Sequence, residues 1–381
     1  MRKRTPPPRW DALALTGMAN HWLQEKKAEN RGFGECSPWW PFISRFPDKV
    51  QQYVQDLVAG TYRFAPLKKY YFPEETITLW EWPDRLALSL LLEIIKPTFA
   101  HILSPKCFHM QGPNGSKPAL RLTEKALKTG KYRYIIRADI RSYYASISRA
   151  ILVQQIKAFF KDPRLIRYLE HIITSALDDD AVLFLPTEGI PIRSSLSPFF
   201  GALYLTPLDR IFENRTGIFY LRYMDDIVIL AQTKRQFVAA KKRLQQQLVG
   251  LKLTLSRKKT KMGLLGHFHF LGTQFSTSRN ALGKIQVSVQ IHNRSCRRAL
   301  DKASAMKADG ASPQKVQHYI DRWATWWECA LKGELHKQAN LHAWVNYCRR
   351  QPEPLKKLEW LGRGLLEWFK PSVWCWRGMF A

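Results

Sequence analysis

The sequence has few cysteines, few acidic residues and no long apolar run. Its six cysteines are scattered without a Cys-x-x-Cys pair, so the spacing predicts no zinc site and gives no sign of an oxidising compartment. No apolar run reaches the roughly 18 residues that a membrane-spanning helix needs. The basic stretch from Met1 to Pro8 has no apolar run behind it, so we do not expect a secretory signal. These absences predict a cytoplasmic protein with no membrane partner.

Basic residues outnumber acidic ones. The chain has 60 Lys and Arg against 31 Asp and Glu, a net charge of +29, and no acidic residue between Asp226 and Asp301. Such an excess would repel itself without a polyanion, whose phosphates release counterions when lysines and arginines bind them. The charge therefore predicts a nucleic-acid partner. Part of it is also expected to lie on the solvated face of a helix around 234–249.

Two adjacent carboxylates stand between two apolar stretches in the run from Phe219 to Leu230. β-Prone residues on both sides of Asp225 and Asp226 predict a hairpin with the acids at its tip. Two like charges in that position are costly unless a cation compensates them, and a divalent metal is the usual one. The alternative is an ordinary hairpin tip.

A third carboxylate, Asp139, ends the β-branched run from Tyr132 to Ala138. If this strand pairs beside the hairpin, Asp139, Asp225 and Asp226 converge. Three carboxylates holding two Mg²⁺ ions, with Mn²⁺ as an alternative, form the clamp that in-line phosphoryl transfer needs. We therefore expect these aspartates to be both the catalytic and the metal-binding residues. The alternative is that Asp139 only caps the following helix.

Several segments, in this order, resemble the motifs of reverse transcriptases, especially the bacterial kind found in group II introns, retrons and antiphage defence systems. The resemblance covers about residues 61 to 275. The motifs are Tyr62 to Pro73, Ala138-Asp139 with Tyr143-Tyr144, Gly189-Ile190-Pro191 with Leu196-Ser197-Pro198 and Ala202 to Leu205, Tyr223 to Asp226, Leu253 to Thr260, and Phe268 to Gly272. The resemblance implies an α+β fold, the right-hand polymerase fold, with fingers, an antiparallel-sheet palm and a helical thumb.

The motifs also divide the chain. We expect an N-terminal extension over 1–60, fingers over 61–130, and a palm over 131–280 that carries fingers helices near 149–180. A helical thumb and an aromatic, basic C-terminal tail should occupy 281–381.

The resemblance further implies a nucleotide site. Tyr144 should pack beneath the sugar and leave no room for a 2′-hydroxyl, which favours dNTPs; the alternative is an ordinary buried tyrosine. Many relatives have Gln-Gly after the Gly-x-Pro, and here Ile192-Arg193 follows. We expect Arg193 to bind a phosphate through its paired donors, or else to form a salt bridge with Glu188. Other nucleotide contacts are expected from Lys68, Lys69 and Lys259.

Local patterns predict a strand near 67–72, a helix near 84–100 and an exposed turn at Asp178-Asp179-Asp180. A helix should begin at Ser312-Pro313. Its aromatic stripe should pack into a core, with Trp326 off the stripe as a candidate for base stacking.

The leading functional prediction is an RNA-directed DNA polymerase that copies a dedicated structured noncoding RNA, in a retron-like or antiphage defence system. RNA template, DNA product and dNTPs are the expected partners, and a homo-oligomer or protein partner is left open. No His-Asn-His endonuclease motif is attached, and few acids follow residue 301. The free-standing defence-associated enzymes fit this length best. The alternatives are a group II intron-type maturase or RNA chaperone, and untemplated or protein-primed DNA synthesis.

Overall fold

Helices and three β-sheets alternate along the computed structural model, which describes residues 9–29, 37–71, 76–112, 114–279 and 285–331. Its α-helices are α1 (Ala12–Glu29), α2 (Trp39–Ala59), α3 (Trp82–Ile95), α4 (Phe99–Ile102), α5 (Ser116–Lys128), α6 (Arg149–Phe159), α7 (Pro163–Thr174), α8 (Ser197–Tyr204), α9 (Thr206–Phe212), α10 (Lys234–Gly250), α11 (Asn293–Ala308) and α12 (Pro313–Leu331). Its strands are β1 (Leu67–Tyr71), β2 (Thr76–Leu79), β3 (Tyr134–Asp139), β4 (Leu177–Asp179), β5 (Val182–Phe184), β6 (Ile218–Tyr223), β7 (Asp226–Ala231), β8 (Lys261–Leu264), β9 (His267–Phe270), β10 (Thr273–Arg279) and β11 (Ile285–Ile291). The expected α+β class is confirmed.

The central sheet has the strand order β6-β7-β3-β8, and all its neighbours are antiparallel. Strand β7 reads Ile-Val-Ile-Leu-Ala after its first residue, and these five side chains are buried. Such a continuous apolar run is typical of a strand covered on both faces. The predicted hairpin is β6 and β7, and the predicted strand ending at Asp139 is β3, which pairs directly beside it.

Helices cover both sides of this sheet. On one face, α8 and α10 share a core with Ile136 and Ile229 of the sheet. On the other face, α5 shares a core with Ile135 and Leu230. Helix α10 begins with a capping box in which the Thr233 hydroxyl accepts from the Gln236 N–H, and the Gln236 side chain accepts from the Thr233 N–H. These contacts fix where the helix starts, at the end of the hairpin opposite its tip.

The N-terminal helices pack on α3 through aromatic side chains. The Trp22 ring lies against Trp82 of α3 with centroids 6.4 Å apart, and Trp39 lies 4.5 Å from the same ring. Ahead of α1, the Trp10 indole N–H donates to Asp162, the N-cap of α7. The first helices therefore share the large core of the central sheet.

A second sheet has the order β2-β1-β4-β5, in which β1 and β4 are parallel. Strand β1 matches the expected strand, but the helix expected over 84–100 runs over Trp82–Ile95 and is followed by a 3₁₀ turn, Lys96–Thr98. Pro97 explains the break, because its nitrogen has no hydrogen to continue the α-helical ladder.

The expectation that all three residues of the acidic cluster form an exposed turn is wrong. Asp178 and Asp179 lie in β4, and only Asp180 is in the turn, where its φ is 50°. The reason is that Asp178 and Asp179 pair with Leu183 and Val182 of β5, and Asp178 also pairs with Lys68 of β1, more than a hundred residues away. The Asp179 carboxylate accepts from Lys69 at 2.9 Å and also from the Tyr71 hydroxyl.

The third sheet, β9-β10-β11, leads into α11 and α12. Helix α12 begins at Pro313 as expected, and its Ile320, Trp327 and Ala330 are buried. Trp326 is half-buried, with its ring 4.7 Å from Trp327, so it also packs at this core. The predicted aromatic tail lies outside the described residues. Among the described helices, none is long and apolar enough to cross a membrane.

Candidate active site

Asp139, Asp225 and Asp226 meet at one end of the central sheet. Asp139 is the last residue of β3, and its Cα pairs with that of Asp226, the first residue of β7. Asp225 occupies the turn of the hairpin, directly before Asp226. The antiparallel register therefore brings together carboxylates that lie almost ninety residues apart in the chain. It places them where β3 ends and β7 begins.

Burial and mutual repulsion act on this group. Burial raises the pKa of Asp226 to about 7, and the neighbouring charges of Asp225 and Asp139 act in the same direction, against the Arg137 guanidinium. The pKa of Asp225 is also raised, first by burial and then by Asp139. Without a further cation, Asp225 and Asp226 hold protons more tightly than exposed acids do.

Two basic side chains stand against the carboxylates. The Arg137 Nη2 lies 3.0 Å from Asp226 Oδ2, and the Lys259 Nζ lies 3.4 Å from the carboxylate of Asp139. Arg137 also donates to the Lys259 carbonyl oxygen. Lys259, which we expected to contact the nucleotide, therefore lies beside the aspartates and balances part of their charge.

The donor set suits a hard divalent cation. Three carboxylates supply oxygen ligands of the kind that Mg²⁺ prefers. Asp226 Oδ1 is buried and has no hydrogen-bond partner among the described residues, so a cation would satisfy an atom that the protein leaves unsatisfied. Within the same part of the chain, however, no group of three or more His, Cys, Asp and Glu side chains already has a metal-binding arrangement.

Met224, between Tyr223 and Asp225, is held in a left-handed conformation with φ at 56°. Such a backbone is costly for a residue other than glycine and needs support from its surroundings. Both polar groups of Met224 have partners: its N–H donates to His109 Nδ1 at 3.0 Å, and its carbonyl oxygen accepts from Arg222 Nη1 at 3.0 Å. We call these two hydrogen bonds the turn clamp.

The arginine of the turn clamp is completely buried and is paired with Asp209 of α9. Its Nε donates to Asp209 Oδ1 at 2.8 Å and its Nη2 donates to Asp209 Oδ2, a two-pronged ion pair that the Tyr220 hydroxyl joins as a donor. Burial opposes the charge of Arg222, but Asp209 and its neighbours hold the arginine pKa well above its ordinary value. The guanidinium is therefore a permanent cation that links α9 to the turn.

The histidine of the turn clamp is neutral. Burial, and then the nearby charge of Arg222, lower the pKa of His109 to about 3. Its Nε2 lies 3.3 Å from the Pro198 carbonyl oxygen, which can only accept, while the Met224 N–H can only donate to Nδ1. These roles assign the hydrogen to Nε2.

A cavity of about 520 Å³ lies beside the carboxylates and includes Tyr144, Arg193 and Glu188 in its lining. Tyr144 is close enough to Asp225 for that charge, after burial, to raise the tyrosine pKa. Gly201 of α8 makes room for the ring, because a Cβ there would lie 3.1 Å from it. The structure thus brings together two of the residues expected to bind the nucleotide.

Lys68 and Lys69 are the other two residues expected to contact the nucleotide. Both lie on the second sheet and form ion pairs. Lys68 Nζ is 2.6 Å from Glu81, and Lys69 Nζ is 2.9 Å from Asp179. Neither lysine lines the cavity. For both to reach a nucleotide, these pairs would have to open.

Sequence reasoning missed the turn clamp. One signal was present: Arg222 is a charged residue inside the apolar run of β6, and a buried arginine requires an acid partner. Nothing in the sequence singled out Asp209 as that partner, or His109 as a support of the turn.

Comparison with known proteins shows the family of this chain. Protein YkfC of Escherichia coli (strain K12) is 21% identical over 287 residues, which cover 64% of this chain and 75% of that protein. The structure of apo telomerase from Candida Tropicalis truncated from its C-terminal domain aligns with a TM-score of 0.39 and 16% identity, over 54% of this chain and 44% of that one. Residues 77–275, just over half of the chain, match the family model for reverse transcriptase (RNA-dependent DNA polymerase). The chain belongs to the reverse transcriptase family and has its right-hand polymerase fold.

Proposed function

We propose that this RNA-directed DNA polymerase copies a dedicated structured noncoding RNA, in a retron-like or antiphage defence setting, with Asp139, Asp225 and Asp226 as its catalytic carboxylates. The activity itself follows from the family. The observation that carries the residue assignment is the register that pairs Asp139 with Asp226 and leaves Asp225 beside them at the turn.

We propose that this site binds divalent ions, namely two Mg²⁺ ions. Asp139 and Asp225 would hold them, and the unsatisfied Asp226 Oδ1 supports a contribution from that residue. When bound, the ions lower the charge cost of bringing a 3′-hydroxyl and a triphosphate together. The protein contributes the fixed turn, because the turn clamp holds the backbone between Tyr223 and Asp225.

For the nucleotide, we propose that the cavity beside the carboxylates receives the incoming dNTP. Tyr144 would pack under its sugar and exclude a 2′-hydroxyl. Arg193 would bind its phosphates through paired donors. Lys259 would also contact the nucleotide once a divalent cation replaces it at Asp139. Lys68 and Lys69 would join only when their acid partners release them.

We also propose the division into an extension over 1–60, fingers over 61–130, palm over 131–280 and thumb with tail over 281–381. The packing of α1 and α2 on α3 supports an extension seated on the fingers. Outside α10, the acid-free stretch between Asp226 and Asp301 supports binding of the template–product duplex by the neighbouring palm and thumb.

The experiment compares Asp225→Asn and Asp139→Asn with the matched control Asp180→Asn, whose carboxylate is exposed in the turn after β4. The first two should lose dNTP incorporation on a primed RNA template with Mg²⁺ and keep RNA affinity, because affinity depends on the basic surface. The control should keep both. Near-normal extension by Asp225→Asn would contradict the assignment.

Sequencing the nucleic acid that copurifies with the full chain tests the template. One recurrent RNA supports a dedicated template. Bulk cellular RNA instead favours a generic binder and overturns that part of the proposal.

A further inference from the structure

A second cavity, of about 440 Å³, opens at the far end of the hairpin. We call it the arginine pocket, because Arg215, Arg235 and Arg243 line it above a floor that includes Phe212 and Ile218. The first arginine precedes β6, and the other two lie on α10. Three cations from two separate segments therefore surround one concave surface.

The arginine pocket is separate from the catalytic site. Ile218 begins β6 and pairs with Ala231, whereas Tyr223 at the tip pairs with Asp226. Five residues of strand at about 3.4 Å each separate these two ends by about 17 Å. A group bound in the pocket cannot touch the carboxylates at the same time.

No acid among the described residues neutralises the charge of the arginine pocket. None of its three arginines forms an ion pair with an acid in the described part of the chain, and no Asp or Glu lines the cavity. The Arg215 Nε donates to the Ile211 carbonyl oxygen at 2.7 Å, which holds that guanidinium at the rim. Three cations without an acid beside them at a concave surface attract an anion.

Two further features of the arginine pocket match a phosphate joined to a nucleoside. Thr233, the N-cap of α10, also lines it, so the positive end of a 17-residue helix faces the same space. The arginines and the hydroxyl of Thr216 supply donors, while the partly exposed side chains of Ile218 and Ala239 supply apolar surface. This combination suits a phosphate with its sugar or base more than a bare inorganic ion.

We propose that the arginine pocket binds a backbone phosphate of RNA, with its adjoining nucleoside, at a place the polymerising strand does not occupy. This inference rests on the proposed function, in that a dedicated RNA longer than the copied segment must be held somewhere outside the catalytic cleft. Binding here would keep a non-copied part of that RNA on the enzyme while the template moves.

The test uses two charge-matched double variants of the full chain. Arg235→Gln with Arg243→Gln removes two charges from the arginine pocket, and Lys241→Gln with Lys242→Gln removes two from the same helix outside the lining. The probe is a fluorescein-labelled RNA hairpin with a 30-nucleotide single-stranded extension, and its Kd is measured by anisotropy from low to high salt. The same variants are assayed for extension of a short primed RNA template at saturating concentration.

We expect the pocket variant to bind the probe about tenfold more weakly, which is the effect of removing one or two charge-assisted hydrogen bonds. The slope of log K against log salt should fall by about 0.7 for each phosphate that the variant no longer neutralises. The lysine variant should change Kd less than about threefold. Extension of the short template should stay at the wild-type rate in both.

Equal losses of affinity in the two variants would overturn the proposal, because they would show only a general effect of charge. Displacement of the probe from the wild-type protein by micromolar UMP, with the pocket variant resistant to it, would also overturn it in favour of a free-nucleotide site. A wild-type protein that binds the probe without extending any primer would instead refute the proposed function and leave the pocket measurement valid.

Discussion

Replacing Arg222 with methionine should damage both stability and catalysis, for two separable reasons. The side chain is fully buried, and it satisfies Asp209 with two donors. Its removal leaves a buried carboxylate without its cation, which costs about 3–5 kcal/mol. For a protein of 381 residues, with an unfolding entropy of about 2.1 cal/mol/K per residue, that loss lowers Tm by roughly 4–6 °C. Thermal unfolding followed by circular dichroism measures it.

A triple variant tests separately the ion pair of Arg222 with Asp209 and the hydrogen bond by which Arg222 holds the turn. Arg222→Met with Asp209→Leu and Tyr220→Phe removes the whole buried polar group, and apolar side chains of similar volume in such a place are often neutral for stability. We expect Tm to return to within about 1–2 °C of wild type. The Met224 carbonyl oxygen, however, still lacks its donor, so the turn that carries Asp225 is no longer fixed.

Turnover should therefore stay low in the triple variant. Removing one positioning hydrogen bond so that a reacting group shifts by about 1 Å costs up to about 100-fold in rate, so we expect kcat for primer extension to fall about 10- to 100-fold. The KM for dNTP should change less, because the cavity around Tyr144 is untouched. If the triple variant recovers Tm and kcat together, Arg222 acts only as a charge partner and the positioning role is refuted. An unchanged Tm in Arg222→Met would refute the buried ion pair itself.

Three further predictions concern neighbouring side chains. Tyr144→Ala should raise incorporation of ribonucleotides relative to dNTPs, whereas Tyr143→Phe, which loses a buried hydroxyl bonded to the Gly201 carbonyl oxygen, should leave that ratio unchanged. Competition assays with both nucleotide types measure the ratio, and equal ratios in the two variants would show that Tyr144 does not exclude ribonucleotides. His109 has its pKa lowered to about 3, so its contribution to the free energy of unfolding is complete above about pH 6.5 and is lost by about 1.4 kcal/mol per pH unit as pH falls towards 3. Denaturant titrations across that range should show the stability of wild type relative to His109→Asn falling with this slope, because the opposite contribution of Asp226 is common to both, and a difference that does not change with pH would contradict the buried neutral state. Arg193→Lys should raise the KM for dNTPs and Arg193→Ala should raise it further, and a KM that neither change affects would rule out phosphate binding by Arg193.

The parts of the site that the sequence predicted are those with a local signal. Apolar β-prone stretches on both sides of Asp225 and Asp226 predict the hairpin, and the same kind of run before Asp139 predicts a strand end. Their convergence needed one assumption, that the strands are neighbours, and the observed register meets it. The Ser-Pro pair before α12 was equally local, because proline is favoured in the first turn of a helix.

The remaining parts depend on contacts that no local pattern encodes. His109 supports Met224 across 115 residues of chain, and Asp209 of helix α9 reaches Arg222 on strand β6. Asp179 is a strand residue because it pairs with Val182 of β5, a pairing that the three adjacent acids did not indicate. The Lys69–Asp179 ion pair forms because β1 lies beside β4, and the Lys68–Glu81 ion pair forms beyond the end of β2, where Lys68 pairs with Leu79. These contacts explain why a motif match alone did not position the two lysines.

The parallel pairing of β1 with β4 also has a consequence for the order in which the chain folds during synthesis. Leu67 pairs with Leu177, so 110 residues must leave the ribosome between the two strands. At about 5–20 residues per second, the hairpin of β1 and β2 waits roughly 5–20 s with one edge unpaired. Strand β3, with Asp139, lies inside this interval and emerges first. Closing so long a loop costs entropy that is recovered only when β4 docks, so the second sheet should form late, after strand β3 is available.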